Sequence, residues 1–165
     1  MNVSKDFEEL FGFFNARKVK ALIVGGYAFC FHARPRTTKD IDILLEPTVE
    51  NAQNVLRALD DFGFGSLPVT IEDLTEPGRI LQFGYPPGRI ELLTSIKEVS
   101  FPEAWENRVA GRFGRAPVFY LGLEDLIRNK AAVGRLQDLA DVEVLRRFAR
   151  KKRSGEWVPK IPEAL

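Results

Sequence analysis

In the segment Lys39-Asp-Ile-Asp-Ile-Leu-Leu45, Asp40 and Asp42 alternate with Ile41 and Ile43. That period of two predicts a strand with carboxylates on one face and apolar side chains on the other. Same-face neighbours on a strand lie about 6.5–7 Å apart at the backbone, so their side chains can converge on metal ions about 3.5–4 Å apart. Mg²⁺ is commonly held by one or two carboxylates together with substrate phosphates and water, so a bare pair suits a metal–polyphosphate. The competing reading is an acidic strand face turned to water. Upstream, the apolar run Ala21-Leu-Ile-Val24 stops at Gly25-Gly26. A glycine pair can let backbone approach an anion, and a helix starting after it points its positive end there. A simple tight turn gives the same sequence.

The elements around these residues follow from periodicity. Phe7, Leu10, Phe11 and Phe14 define an amphipathic helix with Ser4 as its expected cap. The pattern then reads strand (21–24), glycine turn, helix (27–33) ended before Pro35, and strand (40–45) closed by Glu46-Pro47. Thr48 is expected to cap a helix bearing Val49, Ala52, Val55, Leu56 and Leu59, with a short helical turn at 71–74. Residues 79–83 and 89–93 read as two strands of a hairpin across Gly84 to Gly88, with Glu91 inside the second. Helical signals return at 102–107, 123–132 and 137–151. The expected fold class is α+β: a small mixed β-sheet flanked by helices, with a helical C-terminal part.

One domain over 1–165 is expected, divided into a core at about 1–100, a C-terminal helical part at 101–155 and a tail at 156–165. A 45% apolar and 28% charged composition is that of an ordinary globular chain. The formal charge of +1 offers no global attraction to polyanions, so any such contact must come from a local patch. The single cysteine, Cys30, cannot form an internal disulfide and reads as a buried small hydrophobe, which fits a reducing cytoplasm. The acidic and basic N-terminus and the lack of long apolar runs argue against secretion and against a membrane partner.

Val24-Gly-Gly26, the following helix and Arg36-Thr-Thr-Lys-Asp-Ile-Asp-Ile-Leu-Leu45 resemble the DNA polymerase β-like nucleotidyltransferase superfamily. The run from Gly25 to Leu45 is similar to the AbiEii-like and related minimal nucleotidyltransferases of bacterial toxin–antitoxin and phage-defence systems. Lys130-Ala-Ala-Val-Gly-Arg135, followed by Asp138 and Asp141, resembles the C-terminal lysine and aspartate motif of that group. The resemblance implies transfer of a nucleoside monophosphate from a triphosphate, such as ATP, to an RNA or protein hydroxyl. It implies Mg²⁺ or Mn²⁺ as cofactor and Asp40, Asp42 and Glu91 as catalytic metal ligands, with Glu91 as ligand or general base where aspartate is commoner. Gly25, Gly26 and Lys130 would bind the nucleotide, although many relatives carry serine where this chain has Gly26. Arg135, Asp138 and Asp141 would support them, the aspartates locking Lys130 and Arg135 in place. A cognate toxin or antitoxin protein, or a second copy of the chain, would be the partner; no DNA is expected.

Two other readings remain. The Gly26 and Glu91 departures allow a non-catalytic nucleotide- or partner-binding protein, and Arg89 and Glu91 can form an exposed same-face pair. The cations Arg146, Arg147, Arg150, Lys151, Lys152 and Arg153 allow an RNA-binding module, though they also suit the end of a helix. Arg34, Arg36 and Lys39 stand just ahead of the acidic strand and could meet phosphate. His32, the sole histidine, lies in an apolar helix and is expected to be packed and hydrogen-bonded.

Overall fold

A computed structural model describes residues 3–155. Helix α1 (Val3–Ala16) buries Phe7, Leu10, Phe11 and Phe14 along one face, as their spacing requires. It begins at Val3, one residue before the expected cap Ser4. Strand β1 (Ala21–Val24) leads directly into α2 (Gly25–His32), and β2 (Asp40–Leu45) follows. Thr48 caps α3 (Val49–Leu59) by accepting from the Asn51 amide. Asn51 itself is buried and bonds the backbone of Lys20 and Glu46, tying the ends of β1 and β2 together.

The short helix α4 (Ile71–Thr75), closed by a Thr70/Asp73 capping box, precedes the hairpin β3 (Ile80–Phe83) and β4 (Arg89–Leu93). Then come α5 (Phe101–Glu106), the hairpin β5 (Val109–Phe113) and β6 (Ala116–Tyr120), and the helices α6 (Leu123–Val133) and α7 (Leu136–Arg153). The six strands form one mixed sheet in the order β3-β4-β2-β1-β6-β5. Strand β2 runs antiparallel to β1 and parallel to β4, while β1 runs parallel to β6. Ile41, Ile43, Ile90 and Leu92 fill the core from the apolar faces of β2 and β4. The α+β class with a small mixed sheet flanked by helices is therefore present.

The segment 101–155 is not wholly helical, because β5 and β6 lie within it and join the central sheet beside β1. Gly111, Gly114 and Pro117 are residue types that strands disfavour, and they hide the pattern in the sequence. At Gly111 the reason is packing: a Cβ there would lie 2.9 Å from the Tyr120 ring, which stacks on Phe31 at 4.0 Å. The tail at 156–165 falls outside the described residues. Among the described residues, no helix is long and apolar enough to cross a membrane.

Candidate functional site

The register of three strands builds the site. The parallel pairing of β2 with β4 sets Asp40 beside Arg89 and Asp42 beside Glu91, and the β3–β4 hairpin sets Gln82 beside Glu91. With the intervening isoleucines and leucines buried, these polar side chains share the opposite face of the sheet. Gln82 Nε2 donates to Glu91 Oε1 at 2.9 Å. Arg89 grips Asp40 with two hydrogen bonds, Nε to Oδ1 at 2.9 Å and Nη2 to Oδ2 at 2.8 Å, and its Nε lies 3.5 Å from Glu91 Oε1.

Asp42 and Glu91 are register partners across β2 and β4, so two carboxyl groups stand side by side on this face. Burial, then the hydrogen bond and charge of Glu91, then the charge of Asp40 push the Asp42 carboxyl up to about 8, against a downward pull from Lys130. Asp42 therefore retains its proton at neutral pH. A divalent cation supplies to such a pair the positive charge that the proton otherwise provides. Among the described residues, no three or more histidine, cysteine, aspartate or glutamate side chains are gathered as a ready metal site. Two carboxylates completed by phosphate oxygens are nevertheless the donor set that Mg²⁺ takes, so Asp42 and Glu91 fit such an ion.

Gly25 and Gly26 are held to glycine by their neighbours. Gly25 has φ +64°, and a Cβ on it would stand 2.2 Å from Asp42 Oδ2, so the first residue of α2 presses directly on the carboxylate. A Cβ on Gly26 would already meet the Thr38 side chain at 3.2 Å, and a serine there would have to find room beside it. An open cavity of about 280 Å³ adjoins them, walled by Gly26, Arg36, Thr38, Lys39, Asp40, Asp42 and Gln137 among others. Two larger hollows of about 620 and 610 Å³ lie elsewhere, beside Asn107 and Asp125 and beside Glu8 and Arg115. Neither contains Asp40, Asp42 or Glu91, whereas the smaller cavity is walled by Asp40 and Asp42, with Glu91 outside its lining.

Lys130 does not line that cavity. Its side chain is buried, with Nζ 2.8 Å from Asp141 Oδ2 and 3.4 Å from Asp138 Oδ1. Arg135 Nε donates to Asp138 Oδ2 at 2.7 Å, and Gln137 Nε2 to Asp141 Oδ1 at 2.9 Å. Arg36 also donates to Asp141 Oδ1, with its guanidinium 4.3 Å from the centre of the Phe29 ring. Burial by itself would raise both aspartates. For Asp138 the hydrogen bond from Arg135 and the charge of Lys130 outweigh it, and for Asp141 the hydrogen bonds from Arg36, Lys130 and Gln137 do so. Both carboxyls lie below their ordinary value. The cluster pins α6, α7 and the 33–39 loop to one another.

The sequence-expected residues thus fall into two groups: Asp40, Asp42, Glu91, Gly25 and Gly26 around the acidic row, and Lys130, Arg135, Asp138 and Asp141 in the buried ionic cluster. Arg36, expected to be free for phosphate, is committed to Asp141, whereas Arg34 and Lys39 are exposed with no ion-pair partner among the described residues. Sequence reasoning missed Gln82 and Gln137 and the bidentate Arg89–Asp40 pair. Gln82 and Arg89 reach their partners only through strand register, and Gln137 through one turn of α7. His32 is buried with Nε2 2.7 Å from the Leu121 carbonyl, and burial pushes it down to about 4, so it is neutral and structural. Cys30 is half-buried, its Sγ 3.6 Å from the Arg36 carbonyl.

A mixed sheet that aligns carboxylates on neighbouring strands beside the start of a helix is an arrangement suited to handling phosphate groups with a cation. Residues 1–146 match the family described as "Nucleotidyltransferase of unknown function (DUF6036)", and the chain belongs to that family. Among solved structures it is similar to the solution structure of the antibiotic-resistance factor ANT(2'')-Ia. The two share 15% identity over 92% of this chain and 93% of that chain, with a TM-score of 0.49, too low to carry that protein's chemistry across. A comparison with curated proteins gave no match.

Proposed function

We propose that the chain is a metal-dependent nucleotidyltransferase that moves a nucleoside monophosphate from a triphosphate to an acceptor hydroxyl. The observation that carries this reading is the register that sets Asp42 beside Glu91, with Gly25 at the start of α2 pressed against Asp42, in a chain of nucleotidyltransferase family. Asp42 and Glu91, joined by Asp40 when Arg89 releases it, would hold Mg²⁺ or Mn²⁺. A bound ion would supply charge stabilisation at the transferred phosphoryl group and at the departing pyrophosphate.

The chain's own groups account for the rest. The first turn of α2 offers unpaired amides to phosphate oxygens, and Gly25 and Gly26 keep that approach clear of side chains. The acceptor oxygen bonds to the α-phosphorus as the bond to the β-phosphate bridging oxygen breaks. The acceptor proton passes to a carboxylate of the site, for which Glu91 is the choice because it is part exposed and oriented by Gln82. Lys130 acts through Asp141 and Asp138 and through its pull on Asp42, not by touching the nucleotide. Arg34 and Lys39 are the free cations available to an acceptor RNA or an acidic protein segment.

An AbiEii-like role in a bacterial toxin–antitoxin or phage-defence pair, with a cognate protein or a second copy as partner and a cytoplasmic location, is the setting we infer from the sequence motifs. One observation favours a non-catalytic nucleotide-binding protein instead: Arg89 occupies both oxygens of Asp40. Incubation with each α-labelled nucleoside triphosphate, Mg²⁺ or Mn²⁺ and a cell extract separates the two. Label transferred to RNA or protein supports the enzyme, and triphosphate binding without transfer under any of these conditions supports the binding protein.

A further inference from the structure

Arg89 stands within the acidic row, on the same strand as Glu91 and facing Asp40 across the β2–β4 pairing. Its planar guanidinium engages both Asp40 oxygens, at 2.9 and 2.8 Å, and approaches Glu91 at 3.5 Å. It thus bears the positive charge on the carboxylate that a second cation ligand would need. The same fork geometry binds phosphate as readily as carboxylate. Its contact is also of the separable kind: the Arg89 and Asp40 side chains are 30% and 23% exposed, against 28% and 2% for Arg36 and Asp141. A pair that water reaches from both sides costs little to part, whereas leaving Asp141 alone would strand a buried charge.

We propose that Arg89 is an exchangeable counter-ion: it neutralises Asp40 in the metal-free protein and turns to the triphosphate when a divalent cation takes Asp40. The proposal rests on the metal–triphosphate reading above and adds to it a residue that sets the order of binding. Three carboxyl groups with one cation among them leave a deficit of positive charge that keeps Arg89 in place. Metal and triphosphate arriving together supply a new cation for Asp40 and new oxygens for Arg89. Strand β4 need not move, since only the long side chain changes partner.

The consequence is a pair of effects of opposite sign, which a purely structural ion pair does not produce. Mn²⁺ binding by the full chain is measured alone and then with inorganic triphosphate, by calorimetry and by the spin-resonance signal of free Mn²⁺, for wild type, Arg89→Ala and Arg89→Lys. Arg89→Ala should bind Mn²⁺ alone about tenfold more tightly and Mn²⁺–triphosphate about tenfold more weakly, the scale of one charge-assisted contact. Arg89→Lys, which keeps the charge and loses the fork, should move both affinities in the same directions by less, and it carries the test if the alanine variant does not fold. Unchanged affinities, or both affinities moving the same way, would overturn the exchange while leaving the metal–triphosphate site standing. A wild-type chain that binds neither Mn²⁺ nor triphosphate would remove the site and the exchange together.

Discussion

Two ionic clusters stand a few residues apart in this fold, and their charges are balanced in opposite senses. On the sheet face, Asp40 and Glu91 share Arg89 as their one ion-pair partner among the described residues, and the Asp42 carboxyl is pushed up to about 8. Between α6 and α7, Asp138 and Asp141 have Lys130, Arg36 and Arg135, and both carboxyls are held below their ordinary value. Burial acts upward on Asp42, Asp138 and Asp141 alike, so its direction does not distinguish them. Partners do: the enclosed cluster is satisfied within the chain, and the open one still has room for positive charge. A satisfied cluster builds a fold, and an under-neutralised one beside a cavity is a place to bind a cation and its phosphates.

The difference can be broken most forcefully from the enclosed side. Lys130→Ala leaves Asp138 and Asp141 buried without their shared cation, and stability to urea should fall by about 3–5 kcal/mol. A loss under about 1 kcal/mol would mean that the cluster does not lock the helices. On the open side, Asp42→Asn keeps the shape and removes the charge. Label transfer in the proposed reaction should drop at least about a hundredfold, near 2.7 kcal/mol of transition-state stabilisation. Without metal the same variant should melt no earlier than wild type, because one carboxylate fewer relieves the repulsion around Glu91. Unchanged transfer in a folded Asp42→Asn protein would leave the nucleotide-binding reading ahead.

How far the sequence reveals each cluster depends on the reach of the interactions involved. The acidic face of β2 is legible from alternation alone, and Glu91 from its place inside an apolar strand segment, because period-two patterning is local. The contact of Asp42 with Glu91 is not, since parallel strands far apart in sequence carry no turn that fixes their register. Gly25 is legible as a special backbone position, while its pressure on Asp42 emerges only when α2 is folded against β2. Lys130, Arg135, Asp138 and Asp141 are recognisable through a motif resemblance, yet nothing in the sequence marks Arg36 as a member of their cluster, 105 residues from Asp141. The β5–β6 hairpin escaped for a different reason: Gly111 obeys packing against Tyr120 and Gly114 the positive φ of the turn, and local propensity reads both as breakers.

The smallest expected effect sets the two clusters against each other in one titration. Asp42 has its folded pKa raised from 3.8 to about 8, so between those values the folded chain holds a proton that the unfolded chain has lost, and stability falls as pH rises. Asp138 and Asp141 are lowered, so their contribution is present above the ordinary carboxylate range and is lost as pH drops through their folded values. His32, lowered from 6.5 to about 4, adds a second loss of stability as pH falls below 6.5, which opposes the Asp42 slope there. From about pH 7 to 8 the enclosed aspartates do not titrate and His32 is largely neutral in both states, so Asp42 dominates the slope. Metal-free protein should therefore lose stability across that window, at a slope of at most about 1.4 kcal/mol per pH unit. Asp42→Asn should flatten the slope, and saturating Mn²⁺ should do the same by replacing the Asp42 proton. Urea unfolding at three pH values in that window, in chelator and then in Mn²⁺, is the measurement. A flat profile for metal-free wild type would mean that Asp42 holds no proton there, and a slope that persists in Asp42→Asn would assign it to another group.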